Sequence, residues 1–85
     1  MSPYIKQDRR VELDTLIKRI SNLLQDDGEI NYTITRLIDN HYGSGSYVQL
    51  SAGMGVLSCV AFEFYRRRIA PYENKKCLEN GEVFK

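Results

Sequence analysis

Residues 47–72 read YVQLSAGMGVLSCVAFEFYRRRIAPY, the most apolar run in the chain. A helix over this run, beginning between Val48 and Ala52, has almost no polar face from Met54 to Phe62. A helix that is apolar all round must be surrounded by other protein. Ala52, Gly53, Gly55, Ser58, Cys59 and Ala61 are small, so another backbone can approach it closely. Glycine costs a helix about 1 kcal/mol relative to alanine, so two of them imply a packing reason or a later helix start. Two packings stay open here, against the rest of the same chain or against a second copy. Pro71 closes the run. It lacks a backbone donor and suits the first position of a following helix.

The flanking segments read as further helices. From Arg9 to about Gln25, Leu13, Leu16, Ile17, Ile20, Leu23 and Leu24 recur at three- and four-residue steps and form one apolar stripe. Asp8 is the expected N-cap, Asp14–Lys18 a favourable i,i+4 pair, and Asp26-Asp27-Gly28 the stop. Residues 29–35 alternate like a strand, yet Ile30, Ile34, Leu37, Ile38 and His41 share one helical face. The longer window predicts a helix to Tyr42, with Asn31 able to cap it. Gly43-Ser44-Gly45-Ser46 is a loop. Tyr72–Asn80 reads as a short charged helix ended by Gly81, with Val83 and Phe84 folding back on the body. Residues 1–7 form an ordered arm, because Pro3 bars helix there and Tyr4 and Ile5 are costly to leave in water. The fold expected is all-α, a single domain over residues 1–85 with three main helices and a short C-terminal one.

At 85 residues, such a domain buries only about 60–65% of its unfolded surface, which favours self-association. Twelve Lys and Arg against 11 Asp and Glu leave a net charge of +1. Proteins that hold a long nucleic-acid backbone carry a larger basic excess. Residues 1–12 contain no apolar signal core, and no run approaches 18 consecutive apolar residues, so no membrane partner is expected. Two cysteines, Cys59 and Cys77, fit thiols of a cytoplasmic protein better than a disulfide scaffold.

The residues do not mark an enzyme. His41 is the single histidine, and one histidine with two distant cysteines is not a transition-metal signature. The glycines lack the Gly-Lys-Ser/Thr ending of a phosphate loop. Neither a metal nor a cofactor is expected. Glu63 and Glu73 read as charge partners for Arg66, Arg67 and Lys76. What the chain does hold is aromatics beside cations: Tyr4 with Lys6, Arg9 and Arg10; Tyr32 with Arg36; and Phe64, Tyr65, Arg66, Arg67, Arg68 and Tyr72. Arginine grips phosphate with a planar fork and stacks on flat rings, and tyrosine adds a stacking face and a hydroxyl. Together they can hold a base and its phosphate without chemistry on either. Successive helical residues point about 100° apart, so at most two of the three arginines serve one site. The bland alternative is that the arginines complement a helix C-terminus and the tyrosines are core.

The segments Pro3–Gln7, Gly28–Tyr32 with Ile34–Leu37, Glu63–Arg67 with Ala70–Glu73, and Glu79–Val83 resemble a family of small phage and prophage proteins, chiefly known as a domain of unknown function. The connector around Gly43–Tyr47 and the Ser51–Gly55 segment match least. The chain also looks similar to the phage sponge proteins of the anti-CBASS class, which are small, mostly helical, homo-oligomeric and non-catalytic and sequester cyclic-oligonucleotide immune signals. That resemblance implies a dimer or tetramer in the infected cell's cytoplasm and a ligand such as 3′3′-cyclic GMP-AMP. On chemical grounds, Lys6, Arg9, Arg66 and Arg67 are the phosphate candidates, and Tyr4, Tyr65 and Tyr72 the stacking candidates. A protein–protein adaptor or inhibitor, using the same Tyr/Arg surface against a host protein, is the alternative expectation. A small nucleic-acid-binding accessory protein is the third.

Overall fold

The structure, a computed structural model, describes residues 2–84. Its regular structure is all helix, and no described residue is in a strand. Helix α1 spans Gln7–Leu23, α2 Asp27–Tyr42 and α3 Tyr47–Phe64; a π-helical turn, Tyr65–Ile69, then leads directly into α4, Ala70–Asn80. The last three form one unbroken helix of 34 residues. The fourth helix of the sequence reading is therefore the continuation of the third.

Pro71 explains the join. In an α-helix its missing N–H would leave the Arg67 carbonyl without a donor, and its ring would press on that carbonyl. An i→i+5 pattern loosens the turn and brings the next amide into reach. Accordingly the Ala70 N–H donates to the Tyr65 carbonyl, five residues back, and Pro71 falls in the first turn of α4. Proline diverts the hydrogen-bond ladder here without ending the helix.

Helix α2 starts four residues before the expected Asn31. The Asp26 carboxylate accepts from the Glu29 N–H at 2.8 Å, and Glu29 accepts in return from the Gln25 N–H at 2.8 Å. This is a reciprocal capping arrangement, and it overrides the weak helix propensity of Gly28. The Asp26-Asp27-Gly28 run is thus a helix start, not a stop. Similarly, α1 begins at Gln7 behind an extended Lys6, with Asp8 inside its first turn, where its charge complements the helix N-terminus. Asp14 and Lys18 do not form one of the ion pairs found among the described residues. Gly81, at φ 98°, caps α4 as expected. Val83 and Phe84 border a groove with Tyr65 and Tyr72 but are not buried by it; both remain largely exposed.

α2 and α3 form a hairpin across the turn after Tyr42. They approach tightly at Gly53, the one buried residue among those described, where a Cβ would lie 3.2 Å from the Tyr42 Cβ. α1 is different: no Cα of α1 comes within 8 Å of another helix. Among the described residues there is accordingly no buried hydrophobic side chain, and Leu16, Ile17, Leu37, Met54 and Phe62 are all exposed. The α3–α4 helix is also long and apolar enough to cross a membrane by length and composition, with a mean hydropathy of 1.3 over 18 residues. The sequence expectation of no span rested on uninterrupted apolar runs, a stricter criterion.

Gly53→Val places branched methyls against the Tyr42 ring and opens the hairpin. The expected loss is on the order of 1–3 kcal/mol, read as a lower midpoint in thermal unfolding followed by circular dichroism.

Candidate functional site

The arm and the far end of α3 meet at Glu63. The Tyr4 hydroxyl donates to the Glu63 carboxylate. The Arg66 guanidinium donates to the same carboxylate oxygen at 2.6 Å and to the Tyr4 oxygen at 3.1 Å. Spacing explains the inner pair, because residues three apart on a helix are neighbours. Glu63 is held below the usual carboxylate range, first by the Tyr4 hydrogen bond and then by Arg66, with the charge of Arg67 adding. The Arg66 guanidinium is shifted up by the same carboxylate. Arg66 is thus engaged within the protein, and its interaction partners are Glu63 and the arm.

Beside this contact lies an open groove of about 590 Å³ between the arm and α3. Val56, Cys59 and Val60 form its apolar floor, and Tyr4, Phe64, Arg67 and Arg68 stand around it. Neither Arg67 nor Arg68 belongs to the ion pairs found among the described residues, Glu63–Arg66 and Lys76–Glu79. The groove therefore combines two aromatic rings, an apolar floor and two guanidinium groups.

A second groove, of about 720 Å³, lies along the π turn and α4. Tyr65, Tyr72, Glu73 and Lys76 line it. The Tyr65 hydroxyl donates to Glu73, which raises the phenol's pKa. The Lys76 ammonium lies 5.8 Å from the Tyr72 ring centroid and 3.1 Å from Glu79. The expected roles of the two glutamates hold for Glu63 with Arg66, whereas Glu73 meets a tyrosine and Lys76 pairs with Glu79.

The seven candidate residues are therefore divided. Tyr4 and Arg67 share the first groove, with Arg66 bridging Tyr4 to Glu63. Tyr65 and Tyr72 share the second. Lys6 and Arg9 line neither; Lys6 instead precedes α1 as its cap residue, its carbonyl accepting from the Arg9 N–H at 3.1 Å. Phe64 and Arg68 join the first groove beyond the candidate set. Their signal was present, since Val56, Val60 and Phe64 follow at four-residue steps and Arg67 and Arg68 lie three and four residues beyond Phe64. No group of three or more His, Cys, Asp or Glu side chains is placed to hold a metal ion among the described residues.

The arm's attachment is expected to weaken in acid. Glu63 has a lowered pKa in the folded state, so its contribution is complete above the ordinary carboxylate range. It fades as pH falls through the lowered value. Tyr4→Phe removes the leading cause of the shift. In this variant the Glu63 carboxyl, followed by carbon-detected NMR titration, is expected to titrate closer to the ordinary range, and the arm to be cut faster by protease at neutral pH.

No curated protein and no solved structure shows significant similarity to this chain. One family model does match, described as a domain of unknown function, DUF6899, and it spans residues 1–83. The chain belongs to that family.

Proposed function

We propose that this chain is a non-catalytic binding protein that sequesters a cyclic dinucleotide signal, in the manner of a phage-encoded anti-CBASS sponge. It acts as a homo-oligomer in the cytoplasm of the infected bacterium. The observation that carries this reading is the groove bounded by Tyr4, Phe64, Arg67 and Arg68. Its volume of about 590 Å³ falls within the range of about 300–1,000 Å³ usual for small-molecule sites. The rings offer faces for flat bases, and the two guanidinium groups offer forks for phosphate. A cyclic dinucleotide carries only two charges, so two local arginines on a chain of net charge +1 match it better than they match a nucleic-acid duplex.

Glu63 supports a binding role over a catalytic one. A carboxylate with a lowered pKa, held by a tyrosine and an arginine, is a weak proton acceptor at neutral pH. A second reading, a protein–protein inhibitor, draws on the exposed Tyr47, Phe62 and Tyr72, since aromatic side chains often anchor protein interfaces.

Calorimetric titration with 3′3′-cyclic GMP-AMP tests the proposal. Binding is expected, with intact nucleotide recovered after heat denaturation of the protein. Arg67→Ala with Arg68→Ala should weaken it about tenfold or more, since hydrogen bonds to charged groups contribute appreciably. Arg66→Ala should act mainly through the arm. Absence of binding at micromolar protein overturns the reading, and recovery of cleaved nucleotide replaces it with an enzyme.

A further inference from the structure

The single chain has far more surface than a folded protein of its mass. It exposes 7892 Å² at 9.9 kDa, whereas the usual scaling for folded monomers gives about 5,200 Å², an excess of roughly 2,700 Å². Its radius of gyration is 16.7 Å, against about 12 Å for a compact chain of this length. Obligate homodimers commonly bury about 2,000–5,000 Å² in total, half from each copy. Two such chains bring together an excess of roughly 5,400 Å², at or above the top of that range, so an obligate assembly can cover most of it.

Helix α1 accounts for much of the exposed apolar stripe. Leu13, Leu16, Ile17 and Ile20 lie on one face, with exposures from 36% to 56%. The helix is tied at both ends. Tyr4 fixes the preceding arm to Glu63, and Leu24–Asp26 connect directly to α2. Between those ties, no Cα of another helix lies within 8 Å. On α3, meanwhile, Met54, Ser58, Ala61 and Phe62 form an exposed face outside the groove at Tyr4, with Met54 at its edge beside the α2–α3 contact. With 17 and 18 residues, α1 and α3 are about 25 and 27 Å long, so they match along their lengths.

We propose that α1 of one copy lies along this free face of α3 in a second copy, so that the hydrophobic core is built between chains. Applied reciprocally, the contact is isologous and closes a two-fold dimer. Each chain supplies a stripe and receives one. The proposal deepens the homo-oligomer part of the reading above and is independent of the nucleotide, so its test contains no ligand.

The full-length protein is examined by sedimentation and by photo-crosslinking. Its mass is expected to be a multiple of 9.9 kDa at micromolar concentration without detergent. Benzoylphenylalanine replaces Leu13 in an isotopically labelled chain, which is refolded with unlabelled chains. Cross-links are expected from the labelled α1 to residues 54–62 of the unlabelled chain. Leu16→Asp with Ile20→Asp should raise the dissociation constant about a hundredfold or more. Because this variant can also unfold, the cross-link map on the otherwise unchanged stripe is decisive. A stable monomer, cross-links confined to one chain, cross-links to another element of the second chain, or solubility only with detergent or vesicles each overturn the proposal.

Discussion

A helix satisfies its backbone hydrogen bonds by itself, but it cannot cover its own apolar side chains. That asymmetry governs this molecule. Nearly all of its backbone pairing is local, within three helical stretches, and a contact that includes Gly53 against Tyr42 joins α2 to α3. No hydrophobic side chain among the described residues is buried. Since hydrophobic burial is the dominant favourable term in folding, helices of this kind gain most of their stability from whatever covers them. The apolar surface is distributed over α1, α2 and α3, so a single flat membrane would reach only part of it, whereas a second chain can reach several faces together. Gln49, Ser51, Ser58 and Glu63 also interrupt the apolar run of α3.

Around Glu63 two requirements are met by one carboxylate. It anchors the arm through Tyr4, and it engages Arg66. The consequence is a division of labour among three adjacent arginines. One is committed to internal structure, while Arg67 and Arg68 border the groove. The π turn lies at the same place, and such turns often occur where function requires side chains to be re-aimed. It leads into α4, whose Tyr72 and Lys76 line the second groove and not the first.

The helices were legible where a long period was present. The stripe in α1 and the shared face of Ile30, Ile34 and Leu37 identified helices, and they resolved residues 30–35 as helix despite their strand-like alternation. The start of α2 was misread because Asp26-Asp27-Gly28 carries turn chemistry. The Asp-x-x-Glu spacing from Asp26 to Glu29 is a start signal in the same residues, and two hydrogen bonds realise it. Pro71 was misread for a similar reason, as proline usually ends a helix but a wider turn accommodates it. At the site, the limit of two arginines followed from geometry, but which two depended on tracing the face upstream to Val56. The missing core was legible only in part: small size and an all-round apolar α3 favoured self-association, but nothing in the sequence set α1 apart from the other helices. A hydrophobic content of 42% fits a conventional small domain, and composition does not say whether apolar side chains meet within one chain.

The π turn has an evolutionary consequence. It holds one more residue than an α-turn would need to join the same two helices, and Pro71 is the reason the extra residue is tolerated. Loss of the proline removes the need for the wider turn. Deletion of one residue within 65–69 removes the surplus and returns the following helix to its former phase. Each change alone disturbs the orientation of everything beyond it, whereas together they offset one another. Among relatives, a one-residue difference in length at this point and the identity of position 71 should therefore be inherited as a pair.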